Sequence, residues 1–402
     1  MKHAHIFTVI ALGSLLTAPQ FSHAQVTGYG LALYQDHDQT SEADPAPSTF
    51  FSYSASVSAT ATGDLTSGTA IHPGPNSYDM IPYLDQFLFD YHPWRSSLAE
   101  LEAAHPAGVY QYDITGGNLA GQSGTLTLPD HLFPDQTPRL DPGVWTSLQD
   151  APAMTDAPVS WPSYTYPGSL PKNIIQFQVV NRTTASFAYG DFGDNNVYTS
   201  DTIPAAALLS GRRYYYYLSY QVYREDFSGF ANNAPGSVSL IRRTLGYFNV
   251  KANPGTLAGT INLSDSIASV GEPVTIEIKD SNGVVDTHNI TLGFDRLYAV
   301  DTALTGLVSV RVKADHWLAT VVTDVDTSIG QDNLDITLRN GDCDGDNVVT
   351  TDDYLIINGA FDTQIGDALF DSRADLTDDG YVTTDDYLAF NSNFDVEGDY
   401  LP

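Results

Sequence analysis

The sequence predicts a mainly β protein, built from tandem antiparallel β-sandwich modules and followed by a small α-helical module. Two observations lead to this prediction. Residues 25–340 are rich in Thr, Ser, Val, Tyr, Gly and Pro, and their short alternating apolar segments are separated by turn residues, which is typical of antiparallel sandwiches. Residues 341–402 instead contain two copies of an acidic segment, each followed by a short apolar run.

The N-terminus has the features of an export signal over residues 1–24. Lys2 provides a positive start, Ile6 to Ala18 is apolar, and small residues precede Gln25. This apolar run is shorter than the roughly 20 residues that span a bilayer, and no later segment is long and apolar enough to do so. We therefore expect a secreted or cell-surface protein with no transmembrane segment after signal removal.

Charge and cysteine content limit the function further. The net charge of −32 argues against nucleic acid and anionic membranes as partners, because both require a basic surface. Residues 341–402 hold 16 of the acids and one base, Arg373. Cys343 is the one cysteine, so an intramolecular disulfide is excluded and the fold depends on cores or metals.

The chain is long enough for several modules, since ordinary domains contain about 100–200 residues. A proline-punctuated segment at 129–171 suggests a first boundary. We expect a β-rich module with one short helix and two sandwich modules before the acidic segment, with boundaries at 25–134, 135–252, 253–340 and 341–402.

Local signals before residue 253 identify one helix and several strands. Ser97–Glu100 forms a capping box, and the helix that it begins ends before Pro106. Strands are predicted at Val109–Ile114, Ile174–Val179 and Tyr215–Tyr223. The approach to the last strand, from Leu208 to Tyr214, resembles the Leu-x-Pro-Gly-x-x-Tyr turn of fibronectin type III domains, with Ser210 in place of the proline. This resemblance implies a fibronectin-III-like sandwich over 135–252.

Residues 253–340 show the most regular alternation. Val274–Ile278 and Val284-Val285 flank a segment with an Asn-Gly pair, which favours a tight hairpin. The module opens with Gly259-Thr260-Ile261, and further strands are predicted at Tyr298–Val300, Val308–Val312 and Leu334–Leu338. The module resembles the small carboxypeptidase-regulatory and collagen-adhesin B sandwiches, and this implies a stalk or spacer.

An internal repeat of 33 residues marks the C-terminal segment. Val349–Leu355 recurs as Val382–Leu388, and three later residues of each copy also match. An acidic run alone is most often a solvated or disordered surface, but repetition this close indicates two copies of one folded unit. We expect Val349 and Val382 to meet in a short two-stranded contact. We also expect the two helices to pack together through Tyr354, Leu355, Ile357, Tyr387, Leu388 and Phe390.

Each repeat begins with oxygen-bearing side chains at alternate positions, which a tight loop brings to one point. Calcium takes six to eight hard oxygen ligands at about 2.3–2.6 Å, whereas magnesium demands octahedral geometry and retained water. The sequence therefore predicts two Ca²⁺ ions. The ligands of the first loop are Asp342, Asp344, Asp346, the Val348 carbonyl and Asp353, and those of the second are Asp375, Thr377, Asp379, the Tyr381 carbonyl and Asp386. Because Thr377 is neutral, we expect weaker binding in the second loop.

The order of loop and helix, repeated twice with an Asp closing each loop, resembles the type I dockerin domain over 341–402. The resemblance implies calcium binding by both loops and docking of the helices onto a cohesin domain of another protein. Dockerins often have a Lys-Arg pair in the helix, where this sequence has Asn358-Gly359 and Asn391-Ser392. A cohesin-like domain and another extracellular protein therefore both stay open as partners.

Catalytic signals are sparse upstream of the repeat. Glycosidases use two carboxylates about 5–10 Å apart, yet the chain has seven Glu, and Glu100 and Glu102 lie on the outer side of the predicted helix. The sequence has no nucleophile elbow, zinc motif or phosphate loop. His92, His105 and His316 lie beside Pro or Trp, and we expect them to pack.

The Tyr214–Tyr217 run is a candidate sugar-binding surface. Alternation along a strand sends Tyr214 and Tyr216 to one face and Tyr215 and Tyr217 to the other, so one pair is expected in the core. Arg212 and Arg213 are expected to be edge charges that discourage aggregation.

Together these signals favour a secreted or cell-surface protein that acts in adhesion, assembly or display without catalysis. The alternative is an extracellular polysaccharide-degrading enzyme, or an accessory to one, with a polysaccharide as partner. Two carboxylates facing each other across a cleft in residues 25–250 would favour the enzyme.

Overall fold

The computed structural model describes residues 25–402, apart from 49, 62, 74–76, 84–87, 92, 150, 195–196, 228, 267–270 and 294. The expected export signal at 1–24 and the expected packing position of His92 lie outside the described residues. Within them, no helix combines the length and the apolar character that crossing a bilayer requires. The fold is mainly β and contains several sheets, which confirms the predicted fold class.

The first unit covers residues 25–252. Its strands are β1 (Val26–Gln39), β2 (Phe50–Ala59), β3 (Ser67–Ile71), β4 (Ser77–Tyr83), β5 (Leu88–Tyr91), β6 (Trp94–Arg95), β7 (Gly108–Gly116), β8 (Ser123–Leu128), β9 (Ala157–Ser160), β10 (Lys172–Asn181), β11 (Ser186–Asp194), β12 (Ser200–Ile203), β13 (Arg213–Asp226) and β14 (Gly236–Asn249). Its helices are α1 (Leu98–Ala104) and α2 (Val144–Leu148).

Most strands of this unit pair in one continuous order, β11-β10-β13-β14-β1-β2-β5-β4-β3-β7-β8, with β6 beside β2. Neighbours are antiparallel except β1 and β14, which are parallel from Tyr29 beside Gly236 to Gln39 beside Gly246. The sheet folds back on itself, since the Tyr112 hydroxyl on β7 donates a 2.6 Å hydrogen bond to the Gly30 carbonyl on β1. The folded sheet encloses the core of the unit.

One hydrophobic core crosses the boundary expected at 134/135. It joins Leu31 and Tyr53 from the first expected module to Phe177, Tyr216 and Leu240 from the second. The two modules expected at 25–134 and 135–252 therefore share a sheet and a core, because the N-terminal strand β1 pairs with the distant strand β14. This long-range pairing has no local sequence signal.

The proline-rich segment at 129–171 packs against the sheet. The Leu140 N–H donates to Gln39 Oε1 (3.1 Å), and the Thr244 hydroxyl donates to the Pro138 carbonyl (2.6 Å). Trp161 in the same segment is fully buried. Because prolines lack the N–H that a ladder needs, the segment covers the sheet without extending it.

Strand β13 confirms the predicted alternation of its tyrosines. Tyr214 and Tyr216 are completely buried, whereas Tyr215 and Tyr217 lie partly exposed on the outer face. The Tyr214 hydroxyl donates to the Ala207 carbonyl (3.0 Å). This bond links the start of the strand to the turn that precedes it. The edge role expected for Arg213 is wrong, because β13 lies between β10 and β14 in the interior of the sheet.

Helix α1 begins at the predicted cap. The Ser97 hydroxyl accepts a hydrogen bond from the Glu100 N–H, but the Glu100 carboxylate accepts from the N–H and hydroxyl of Ser96 instead of closing the box on Ser97. His105 ends the helix and stacks on Tyr53 with ring centroids 4.0 Å apart, which agrees with a packing role.

The second unit contains strands β15 (Thr256–Leu263), β16 (Pro273–Asp280), β17 (Val285–Thr291), β18 (Leu297–Asp301), β19 (Leu307–Ala314), β20 (Trp317–Asp326) and β21 (Ile336–Asn340). They pair in the order β17-β16-β19-β20-β21-β15-β18 around a separate core that includes Ile276, Val310 and Trp317. The predicted hairpin joins β16 to β17, and Gly283 in its turn has the positive φ of 83° that glycine adopts readily.

The C-terminal unit contains helices α3 (Thr351–Ala360) and α4 (Thr384–Ser392) and the short strands β22 (Thr363–Gln364) and β23 (Tyr381–Val382). Ile357 and Phe390 are buried, as expected. Leu355 and Leu388 are instead 59% and 55% exposed. They lie outside because the buried face of each helix follows three- and four-residue steps from the loop-closing Asp.

The expected contact between Val349 and Val382 is wrong. The Val349 N–H donates to the Val396 carbonyl, and the Asp362 N–H donates to the Val382 carbonyl. Each loop thus pairs with the segment that follows the helix of the other repeat. This crossed arrangement lets both valines lie fully buried in one shared core.

Candidate metal centre

Three carboxylates converge in the first acidic loop. One oxygen from each of Asp342, Asp344 and Asp353 lies within 4.8 Å of the others. Asp342 and Asp353 are fully buried, and Asp344 is exposed. Burying two carboxylates so close together is costly unless a cation or several donors compensate their charge.

The start of α3 positions Asp353. Its Oδ2 accepts a 2.7 Å hydrogen bond from the N–H of Thr350, the N-cap residue, and its Oδ1 accepts from the Asp344 N–H (3.1 Å). The same side chain therefore caps the helix and closes the loop. One Asp at this position therefore serves both as the N3 residue of the capping box and as the closing residue of the acidic loop.

Asp342 is the least satisfied carboxylate of the loop. Its Oδ2 accepts from the Asn347 N–H (3.0 Å) and lies 2.9 Å from the ammonium of Lys313 on β19. Its Oδ1 is buried and has no hydrogen-bond partner. A hard cation fits this set of oxygens, because it would compensate the unpartnered atom and the neighbouring acids together.

Burial also perturbs these acids. It raises the pKa of Asp342, and the opposing effects of Lys313 and the Asn347 N–H reduce this shift. Burial likewise raises the pKa of Asp353, with a further contribution from the negative charges of Asp344 and Asp342. A bound cation would oppose both shifts, because it favours the charged carboxylates.

The second loop repeats the arrangement with one change. Asp386 Oδ2 accepts from the N–H of Thr383, the N-cap of α4, and Asp386 Oδ1 accepts from both the N–H and the hydroxyl of Thr377. Asp375 accepts from the backbone of Asp379 and Gly380, and its burial raises its pKa to about 6. Within the described part of the chain, no second group of three carboxylates meets the 4.8 Å distance, because Thr377 stands where an acid would complete it.

The fifth and seventh loop positions correspond in both copies. Asp346 Oδ1 accepts from the Val348 N–H, and Asp379 Oδ1 accepts from the Tyr381 N–H, each at 2.8 Å. Asp346 and Asp379 are exposed. The two loops therefore share the same turn hydrogen bond from the seventh to the fifth residue.

Contacts with the second unit were not predicted from the sequence. Besides Lys313 near Asp342, the Ala319 N–H donates to Asn347 Oδ1 (2.7 Å), and the Ser266 hydroxyl donates to Asp378 Oδ2 (2.6 Å). Both acidic loops are thus attached to the sandwich at 253–340. The one sequence feature that pointed to these contacts is Asn347, which occupies the turn position that Gly380 has in the second loop.

No family model and no curated protein matches the chain. A mutant type II cohesin–X–dockerin complex from Acetivibrio cellulolyticus is similar with 20% identity over 36% of this chain and 97% of that chain, at a TM-score of 0.31. A tetra-tandem repeat of a large adhesion protein is 13% identical over 71% of this chain and 70% of that chain, at 0.22. With TM-scores this low, no function follows from either similarity.

Proposed function

We propose that residues 341–402 bind two Ca²⁺ ions and form a dockerin-like module through which a secreted or cell-surface protein attaches to another extracellular protein. The observation that carries the calcium assignment is the fully buried Asp342, whose Oδ1 has no partner and whose carboxylate lies beside those of Asp344 and Asp353. A bound cation would compensate the Asp342 oxygen that Lys313 and Asn347 leave without a partner.

The same residues explain why the two sites should differ. The first loop offers four carboxylates, from Asp342, Asp344, Asp346 and Asp353. In the second loop the neutral hydroxyl of Thr377, which donates to Asp386, stands in the place of the Asp344 carboxylate. One carboxylate fewer favours weaker binding in the second loop.

Exposed apolar side chains support the docking role. Tyr354, Leu355 and Phe361 of the first repeat are 36%, 59% and 47% exposed, and their equivalents Tyr387, Leu388 and Phe394 are 37%, 55% and 49% exposed. A folded domain normally buries such residues, and a patch that occurs in both repeats suits a protein interface. A cohesin-like domain is one partner with which this surface would be compatible.

Calcium titration of the full chain tests the metal assignment. Isothermal calorimetry should report two ions for the unaltered protein and one ion for Asp353→Asn and for Asp386→Asn. Asp352→Asn is the matched control, because Asp352 is the exposed neighbour of Asp353 in the same helical turn. Two ions bound by Asp353→Asn with unchanged affinity would refute the first site.

The docking role needs a separate test. The doubly substituted Leu355→Asp, Leu388→Asp protein should still bind two calcium ions but should no longer co-migrate with a cohesin-type domain in size-exclusion chromatography. Complex formation that persists in a calcium chelator would argue against a calcium-organised docking surface.

A further inference from the structure

We propose that the outer face of the large sheet in residues 25–252 binds a neutral oligosaccharide. A cavity of about 350 Å³ on this face is lined by Asp36, Asp38, Phe50, Tyr217 and Arg243, among others. This volume is at the lower end of the roughly 300–1,000 Å³ of small-molecule sites. The cavity is formed by the first unit alone, so the proposal is independent of the calcium loops.

Strand register brings the lining residues together. Asp36 on β1 lies beside Phe50 on β2 and beside Arg243 on β14, while Tyr217 on β13 lies beside the next outward residue of β14, Leu245. Phe50 and Tyr217 are therefore separated by strands β1 and β14. With about 4.8 Å between strands, their backbones are roughly 14 Å apart, and the two rings form opposite walls of the cavity.

A rigid polar pair lies between these walls. Arg243 donates from Nε and Nη2 to Asp36 Oδ1 and Oδ2 at 2.8 and 3.0 Å. Its guanidinium also lies 4.8 Å from the ring centroid of Tyr217 and 5.1 Å from that of Tyr34. The pair offers neighbouring donors and acceptors in a preorganised plane, as adjacent sugar hydroxyls require.

Aromatic side chains provide the complementary apolar surface. Phe50 stacks on Trp94 with centroids 5.9 Å apart and planes inclined by 9°, and Trp94 is 59% exposed. A pyranose ring presents C–H groups on its faces and hydroxyls around its rim. Aromatic walls beside a polar pair match this distribution, whereas a purely apolar ligand would cover the polar pair and Asp38 without offering them hydrogen bonds.

The charge of the cavity selects against acidic ligands. Asp36 and Asp38 carry two negative charges, and Arg243 carries one positive charge that already pairs with Asp36. The exposed Asp38 would repel a phosphate or a uronate. A neutral saccharide avoids this repulsion and can donate hydroxyl hydrogen bonds to the carboxylates.

The loop at 40–48 forms the rim of the cavity and is held in place by several bonds. The Ser48 hydroxyl donates to the Asp36 carbonyl, and the His37 ring bonds the Ala46 carbonyl at 2.9 Å. Glu42 accepts from the N–H groups of Gly143 and Thr146 near the start of α2. A rim that is already ordered lowers the entropic cost of binding.

The arrangement favours binding over hydrolysis. Asp36 and Asp38 are alternate residues of β1 and so project from the same face of one strand. A glycosidase instead places its two carboxyl groups on either side of the scissile bond, and one of them must be free to donate a proton. Here both oxygens of Asp36 already accept hydrogen bonds from Arg243.

The test uses the full chain in native affinity electrophoresis with soluble mixed-linkage β-glucan, xylan, galactomannan and polygalacturonate. At least one neutral polymer should retard the protein, and a calcium chelator should not abolish the retardation. Calorimetry with a hexasaccharide of that polymer should show affinity reduced at least tenfold by Tyr217→Ala and several-fold by Asp38→Asn. Tyr217→Phe should retain most binding, because it keeps the ring.

Tyr400→Ala serves as the matched control, since Tyr400 is an exposed tyrosine at the C-terminus, in a different unit from the cavity. If Tyr217→Ala unfolds by circular dichroism, Asp38→Asn decides the outcome, because Asp38 is exposed and its replacement leaves the core intact. Retardation by no neutral polymer, retardation by polygalacturonate alone, or unaltered binding of Asp38→Asn overturns the proposal.

Discussion

The side-chain Oδ1 of Asn347 accepts a 2.7 Å hydrogen bond from the backbone N–H of Ala319. Asn347 has a φ of 75°, and its own N–H donates to the candidate ligand Asp342. One residue therefore connects the first acidic loop to β20 of the preceding sandwich. The second loop has Gly380 at the same turn, which satisfies the backbone but offers no side chain for such a contact.

Replacing this asparagine should separate its two roles. Asn347→Gly keeps the left-handed backbone accessible but leaves the Ala319 N–H without its acceptor, so we expect the free energy of unfolding to fall by about 1–3 kcal/mol. Calcium affinity of the first loop should also weaken, since the turn loses its attachment. Denaturant unfolding and calorimetry measure both effects. Asn233→Gly is the control, because Asn233 has a similar φ of 54° and is exposed; equal effects of the two changes would contradict the prediction.

Lys313 should oppose calcium binding while stabilising the calcium-free protein. Its ammonium lies 2.9 Å from Asp342 Oδ2, where it compensates the carboxylate but would repel a nearby cation. We expect Lys313→Met to raise the calcium affinity of the first loop several-fold and to lower the melting temperature in chelator. Lys279→Met is the control, since Lys279 bonds the carbonyl of Pro402 outside the loops. A lower calcium affinity of Lys313→Met would show that the lysine instead helps to shape the site.

Glu272 should make stability depend on pH. Burial, together with the charges of Asp378 and Asp315, raises its pKa from 4.5 to about 7, and its Oε1 is buried without a partner. The protonated form favours folding, so this contribution is complete below pH 4.5 and is lost as the pH rises through about 7.

Removing the charge of Glu272 should therefore stabilise the protein at high pH. At saturating calcium, Glu272→Gln should raise the free energy of unfolding at pH 8 by on the order of 2 kcal/mol and change it little at pH 5. Glu102→Gln on the exposed side of α1 should change neither value. Urea titrations at the two pH values provide the measurement, and a gain of equal size at both would rule out titration of Glu272 as the cause.

Alanine substitutions at a buried and at an exposed position of α3 should have different effects on stability. Ile357→Ala removes a side chain that is 1% exposed, so it should cost about 2–5 kcal/mol of unfolding free energy. Leu355→Ala, two residues earlier and 59% exposed, should change stability by less than about 0.5 kcal/mol. Thermal unfolding compares the two variants. Similar losses for both would mean that Leu355 is buried in solution, which would contradict the exposed apolar patch.

Much of the local structure follows directly from the sequence. The strands at Val109–Ile114 and Ile174–Val179 and the hairpin after Asp280 are each encoded by neighbouring residues, through alternation and an Asn-Gly turn. The acids of the first loop could be selected because their spacing recurs 33 residues later. By contrast, the prediction that Leu355 packs between the two helices is wrong. In a short helix with several apolar residues, the sequence alone does not determine which face is buried.

The candidate saccharide cavity shows what local signals miss. Asp36 and Arg243 are 207 positions apart, and only the parallel pairing of β1 with β14 makes them a bidentate pair. Tyr217 could be assigned to the outer face by alternation, but its position opposite Phe50 depends on the order of strands in the folded sheet.

By itself, the sequence determined the β-rich character of residues 25–340, the repeated acidic loops and the identity of their oxygen-bearing side chains. These features depend on spacing within a few residues, or on a repeat that can be read directly. Only the tertiary structure decided that residues 25–252 share one core, that Lys313 and Ala319 contact the first loop, and that Leu355 is exposed. These contacts join residues far apart in the chain, and their free energy comes from burial and pairing that no local segment encodes.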